Sequence, residues 1–217
     1  MAIVFTDLEA LIILAVVLIV VYFIGTYWKH RILTRYAHWF DENLSKKGKV
    51  KFASHGHAGL RIKYEGKDRS GVLQEIHFAL SLGARENLIY YPYSILTHDY
   101  DRLTCWALLH RPIRSNLKIM RKKNKKMVEE SKNMPRFSEV QLDALKESDY
   151  VMYATDHEYA LELTSRISIP TTLKISKSDI ESIEFDRLSS KLRLVGKLSK
   201  KSLPELVNFM FALGNSA

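Results

Sequence analysis

The feature that most constrains this chain is an uncharged apolar run near its N-terminus. The nineteen residues from Ala10 to Trp28 contain no Asp, Glu, Lys or Arg. A helix of that length is about 28 Å long, close to the roughly 30 Å hydrocarbon core of a bilayer. The run is apolar on all sides, and Tyr22, Tyr27 and Trp28 gather at its far end, which is typical of a membrane interface. We therefore expect a transmembrane helix over residues 10–28.

The flanks of this run predict its orientation. Residues 1–9 contain two acidic residues and no basic residue, unlike the positive start of a cleaved signal peptide. Three basic residues follow the run: Lys29, Arg31 and Arg35. By the positive-inside rule, the short N-terminus lies outside or in the lumen and the rest of the chain is cytosolic. The membrane is a prokaryotic plasma membrane or the endoplasmic reticulum.

A helical period continues beyond the span. Apolar residues recur every four positions: Ile32, Tyr36, Phe40 and Leu44. This spacing predicts a juxtamembrane helix over residues 29–47. We expect Trp39 and Phe40 to pack this helix against the following domain. Gly25 is a point where a partner helix could approach the span.

The remaining residues, 48–217, have the size of one α+β domain. Alternating patterns predict strands near residues 49–66, 72–82, 87–96, 102–110, 150–154 and 180–198. Helices are expected near residues 138–148, 157–166 and 202–214, with Asp156 and Ser202 as caps. Antiparallel hairpins followed by helices give the predicted fold. In this pattern a hairpin followed by a helix occurs twice, which fits either an internal repeat or a simple α+β order.

One segment carries nearly all of the positive excess. Arg111–Lys126 contains eight basic and no acidic residues: Arg111, Arg114, Lys118, Arg121, Lys122, Lys123, Lys125 and Lys126. The chain has a net charge of +9, so the other residues together carry only +1. Apolar residues at helical spacing predict an amphipathic basic helix here. Such a localised charge indicates an anionic partner.

Three interpretations of the basic segment remain open. Ribosomal RNA attracts it if a ribosome docks at the membrane. Anionic lipid headgroups attract juxtamembrane basic segments by about 1 kcal/mol per residue. A solvated face with no partner is the third. DNA is not expected, because no base-reading motif is present and the anchor restricts access.

Catalytic and metal-binding patterns are weak. Three pairs could begin a site: His55 with His57, Cys105 with His110, and Asp99 with Asp101. The histidines have no marked partner ligand, the cysteine lies in an apolar run typical of a buried thiol, and turn aspartates ordinarily bond backbone. We predict no enzyme activity, no metal, no cofactor and no small-molecule substrate.

Several features together resemble the calumin family, the coiled-coil-domain-containing subunits of the endoplasmic-reticulum multipass translocon. A single span leads into "YWKHRILTRYAHWFDENL", with the aromatic pair Trp39 and Phe40. "SDIESIEFDRLSS" is similar to a late strand of that family, and "KLRLVGKLSKKSLPELVNFMF" to its following strand and helix. The resemblance extends from about Ala10 to Leu213.

This resemblance implies a non-enzymatic accessory factor for membrane-protein insertion. It implies a cytosolic domain near the ribosome, beside an Oxa-type insertase or other translocon subunits and a small intramembrane chaperone. The family's acidic luminal region and its long basic C-terminal coiled coil have no counterpart in this sequence. Contacts made by that coiled coil are therefore not implied.

Overall fold

The structure, a computed structural model, confirms an α+β fold with one long apolar helix at its N-terminus. It describes residues 7–55, 59–66, 73–83, 87, 100–109, 112–146, 148–166 and 180–216. Within these ranges, nine strands form one antiparallel sheet. Apart from Asn87, the strand predicted over residues 87–96 lies outside the described residues.

The span and the juxtamembrane segment are one continuous helix, α1 (Asp7–Leu44). It is the one helix in the described residues that is long and apolar enough to cross a membrane. The large side chains from Leu8 to Trp28 are mostly exposed, as lipid-facing side chains are. The helix ends at Leu44, three residues before the predicted boundary, and residues 45–47 form a turn.

The strands are β1 (Gly48–His55), β2 (Gly59–Gly66), β3 (Leu73–Ser81), β4 (Arg102–Leu109), β5 (Leu117–Arg121), β6 (Ser138–Glu139), β7 (Tyr150–Ala154), β8 (Ile180–Asp186) and β9 (Lys191–Lys197). Their order across the sheet is β1-β2-β3-β4-β9-β8-β5-β7-β6. The helices after α1 are α2 (Lys125–Lys132), α3 (Asp143–Lys146), α4 (His157–Arg166) and α5 (Ser202–Ser216). The backbone N–H of Tyr159 donates to Asp156 Oδ1 at 3.1 Å, which confirms the predicted cap of α4.

The order of hairpin then helix occurs once rather than twice in the described elements. The hairpin β8–β9 leads into α5, but β4 is followed by another strand, β5. These elements therefore follow a simple α+β order and give no support to an internal repeat.

Two neighbouring rows of side chains cross the sheet on opposite faces. The apolar row consists of directly opposed residues: Phe52, Ile62, Phe78, Cys105, Leu194, Ile183, Ile119 and Met152. The polar row is displaced by one residue in each strand: Lys51, Lys63, His77, Trp106, Arg193, Glu184, Lys118, Tyr153 and Glu139. Because successive strand residues point to opposite faces, one face of the sheet is a core and the other is polar.

Helices α1 and α5 cover the apolar row. The Phe40 ring lies 5.0 Å from the Phe78 ring, and Trp39 packs edge-on against Phe40 at 5.2 Å. Phe40 is fully buried and Trp39 half-buried, which confirms that this pair packs α1 against the domain. On the other face, α2 covers the end of the sheet at Met120 and Val151.

We expect Phe40→Ala to destabilise the sheet domain by about 3–5 kcal/mol, because it opens a cavity against Phe78. Urea unfolding of the detergent-solubilised full chain, followed by tryptophan fluorescence, measures the loss. Phe23→Ala is the matched control, since Phe23 is 66% exposed on the span. Equal midpoints for the two variants contradict the packing of α1 on the sheet.

Candidate anionic interface

The basic segment is not the amphipathic helix that its sequence predicts. Residues Leu117–Arg121 form β5, residues 122–124 turn, and α2 begins at Lys125. In β5, Leu117 and Ile119 face the core while Lys118 faces the polar side. β5 pairs with β8 on one side and β7 on the other, so tertiary pairing overrides the local helical spacing.

Arg121 stabilises the domain and is not available to an external anion. Its side chain is 8% exposed, and its Nε donates to the Ile180 carbonyl oxygen at 3.0 Å. The guanidinium also lies 5.7 Å from the centre of the Tyr150 ring, whose hydroxyl donates to the same carbonyl at 2.7 Å. The prediction that Arg121 contacts RNA or lipid is therefore wrong, because burial and these bonds engage it.

Two of the predicted lysines have partners within the domain. Lys118 Nζ lies 3.9 Å from Glu184 Oε1 on β8. Lys122 is exposed, and its Nζ donates to the Ser148 carbonyl oxygen at 2.8 Å. Lys118 lies inside the sheet as a member of the polar row, whereas Lys122 keeps an accessible ammonium group at the turn.

Lys123, Lys125 and Lys126 are exposed, and among the described residues they form no salt bridge. Lys125 and Lys126 occupy the first turn of α2, where a positive charge opposes the helix dipole. Glu129 and Glu130 stand four residues further on, at a spacing that permits ion pairs, yet no such pair is formed. These three lysines are thus free to meet an external anion.

Arg114 lies apart from these lysines. It is exposed and precedes β5, whereas Lys122–Lys126 follow it. A five-residue strand separates the two groups by about 16 Å. Arg111 lies outside the described residues. The predicted single basic face therefore divides into two parts at opposite ends of β5.

The direction of α1 shows which end of the sheet is nearer the span. Residues 45–47 connect Leu44 to Gly48, so the end of α1 is close to the start of β1. Four residues back, Phe40 meets Phe78, which shares the apolar row with Phe52 in the second half of β1. α1 and β1 are therefore antiparallel. Going back from Leu44 towards the span, the helix passes along β1 from its start to its end.

Burial along α1 begins within the predicted span, at Gly25, and continues towards Leu44. Lys29 is only 2% exposed, which requires protein around it, and Ile32 and Leu33 pack partly against the core. From Lys29 to Leu44 a helix rises about 22 Å, similar to the roughly 26 Å length of β1. β1 therefore finishes at the end of the sheet nearer the span, and we call it the span-proximal end.

Strand register identifies the other members of this end. His55 opposes Gly59, Gly59 opposes Ser81, Ser81 opposes Arg102, and Arg102 opposes Lys197. Arg121, at the end of β5, bonds the Ile180 carbonyl at the same end of β8. The free lysines after β5 thus lie at the span-proximal end of the sheet.

Both ends of the sheet present exposed basic residues. The span-proximal lysines are Lys122, Lys123, Lys125, Lys126, Lys200 and Lys201. The span-distal set is Lys46, Lys47, Arg114, Arg187 and Lys191. Sequence reasoning did not identify Lys200, Lys201 or the residues that accompany Arg114 as members of a basic surface. Only strand pairing brings them to a common end of the sheet.

The three basic residues that follow the span differ in exposure. Arg31 and Arg35 are exposed on α1, whereas Lys29 is buried and has a partner. Arg31 and Arg35 are therefore accessible after the apolar run, whereas Lys29 is buried where α1 meets the rest of the protein.

The polar row holds a bonded cluster that the sequence did not indicate. Glu75 lies beside this row on β3 and binds Lys63 Nζ, and its Oε1 lies 2.7 Å from His77 Nε2. His77 in turn stacks on Trp106, with ring centres 5.4 Å apart and planes within 6°. The Lys63 hydrogen bond chiefly lowers the pKa of Glu75, with His77 adding to it. Alternation in β3 and β4 is the sequence signal that places these residues on one face.

The described residues contain no group of three or more metal-binding side chains. Cys105 is fully buried in the apolar row, and burial raises the pKa of its thiol. Asp101 Oδ1 accepts a hydrogen bond at 2.9 Å from the backbone N–H of Gly83, which is distant in sequence. His57, Asp99 and His110 lie outside the described residues.

No protein-family model and no curated protein matches this chain. Among solved structures it is similar to the crystal structure of the mycobacterial trehalose monomycolate transport factor A. The sequence identity is 6% and the TM-score 0.42, over 77% of this chain and 70% of that chain. No functional conclusion follows from similarity at this level.

We expect acid to destabilise the wild type more than Glu75→Gln. The pKa of Glu75 is lowered below its ordinary value of 4.5, so its ionised form stabilises the fold above that pH. This contribution is lost as the pH falls through the lowered pKa. Thermal unfolding between about pH 7 and about pH 3 measures the difference.

The control is Glu130→Gln, on the exposed side of α2, which should retain the acid sensitivity of the wild type. If Glu75→Gln also retains that sensitivity, the role of Glu75 is contradicted.

Proposed function

We propose that this protein is a single-pass membrane protein whose cytosolic sheet domain rests on the bilayer and binds anionic headgroups through its span-proximal lysines. The N-terminus lies outside or in the lumen, as the charges that flank the span favour. The domain acts as a scaffold or regulator at the lipid surface and not as an enzyme.

The observation that carries this proposal is the common position of the lysines and the span. Lys123, Lys125 and Lys126 are exposed, have no ion pair among the described residues, and follow β5 at the span-proximal end of the sheet. Burial of Lys29 supports a domain that reaches the membrane interface. A basic surface in that position meets headgroups before any other anion.

The energy available from this contact is modest and sensitive to salt. Basic residues near an anionic leaflet contribute about 1 kcal/mol each, so three lysines contribute roughly 3 kcal/mol. The attraction falls off within about 8 Å at physiological ionic strength. Since α1 already holds the domain at the membrane, such a contact suffices to orient it.

Lysine footprinting of the full chain in nanodiscs tests this orientation. We expect Lys123, Lys125 and Lys126 to react more slowly with an amine-acetylating reagent in discs that contain phosphatidylglycerol than in phosphatidylcholine discs. Lys46 and Lys47, at the span-distal end, are the internal control and should react equally in both. Protection that is absent, or that is equal at both ends, contradicts the proposal.

A second candidate function is the accessory role in membrane-protein insertion that the calumin-like features imply. The span-distal set favours it, because Arg114, Arg187 and Lys191 are exposed at the end of the sheet opposite the span-proximal end. That end would meet ribosomal RNA on a docked ribosome, with an insertase or translocon subunit beside the span. The two candidates use opposite ends of the sheet.

Ribosome co-sedimentation across a salt series tests the second candidate. If it holds, a variant with Lys46, Lys47 and Arg114 changed to Gln loses binding, and the wild-type affinity falls steeply with salt. The matched variant with Lys123, Lys125 and Lys126 changed to Gln keeps ribosome binding. If neither the wild type nor either variant sediments with ribosomes, the second candidate is wrong.

A further inference from the structure

We propose that β1 is a docking edge for an extended acidic segment of another protein, which adds to the sheet as a further strand. This interaction surface is separate from the lysines at the span-proximal end. Its evidence is the length of the edge, one exposed aromatic side chain and the charge of the strand.

β1 is a long and regular edge. It pairs with β2 over its full eight residues without a bulge, and no described strand pairs with its other side. Alternate backbone N–H and C=O groups of such a strand point outward and can bond an added strand. The opposite edge of the sheet, β6, has only two residues and offers no comparable template.

Phe52 is the exposed end of an otherwise buried row. The seven other members of the apolar row are at most 1% exposed, whereas Phe52 is 42% exposed. Each buried member of the row is covered by apolar neighbours on both flanking strands or by a helix. A strand added to β1 would place a side chain directly opposite Phe52 and continue this row.

The charges of β1 favour an acidic partner. Lys49 and Lys51 are exposed on the polar face of the strand, Lys51 keeping 59% exposure although its Nζ lies 3.6 Å from Glu65 on β2, and Lys46 and Lys47 precede the strand. An antiparallel second copy of β1 would set lysines against or diagonal to lysines, which is destabilising. Acidic side chains opposite Lys49 and Lys51 are favourable instead. The expected segment therefore alternates acidic residues with apolar ones, an apolar side chain lying across from Phe52.

The binding test uses the full chain in phosphatidylcholine nanodiscs and a labelled, end-blocked peptide of alternating Glu and Val that matches the length of β1. We expect the peptide to bind and to slow amide hydrogen exchange within Gly48–His55. A peptide of alternating Lys and Val should bind at least about tenfold more weakly. The Glu–Val peptide with N-methyl groups along one edge should not bind, since it cannot form the ladder.

Two substitutions locate the contact. Phe52→Ala should weaken binding about tenfold, and its surface position leaves the fold intact, which thermal unfolding verifies. Lys51→Gln should reduce the preference for Glu over Lys peptides, whereas Lys132→Gln, an exposed lysine on α2, should not. The proposal is overturned if the Glu–Val peptide fails to bind or protects residues other than β1. Equal affinity for both peptides, or a chain that dimerises through a protected β1, overturns it as well.

Discussion

The packing of α1 on the apolar row is the interaction on which the rest of the structure depends. Phe40 lies against Phe78 on β3, and both side chains are fully buried. Because side chains alternate between faces, a slip of one residue in a strand would move its lysines into the core. The same contact therefore helps to hold the register of β3 and fixes the sheet to the long apolar helix.

The two halves of α1 have different surroundings. Its first half exposes large apolar side chains on all sides, while its second half buries only one stripe, including Tyr36, Phe40 and Leu44. Burial on this stripe begins at Gly25 and includes Lys29, the first charged residue after the uncharged run. If the exposed half lies in a membrane, as proposed, this change of environment sets which end of the sheet is nearer the bilayer.

The parts of the fold that could be predicted from sequence are those with a strong local period. The uncharged run, the spacing-four residues that end at Leu44, and the alternation in β2, β4 and β9 each identify their element. The basic segment could not be assigned in this way, because its apolar positions, including Leu117 and Met120, fit a helix as well as a strand. Pairing with β7 and β8, distant in sequence, decides the outcome. Long-range pairing likewise separates Arg121, which is buried, from Lys123 and Lys125, which are exposed.

In the proposed membrane setting, the unbroken course of α1 makes the height of the domain depend on membrane thickness. Its 38 residues form a rod about 57 Å long, without a hinge between bilayer and sheet. Membrane helices adjust to thinner bilayers by tilting, and a tilt of about 20° is ordinary. A tilt of α1 would swing the whole sheet, pressing one side of its span-proximal end towards the lipid and lifting the other. Lipid composition would thereby act on this domain mechanically as well as through charge.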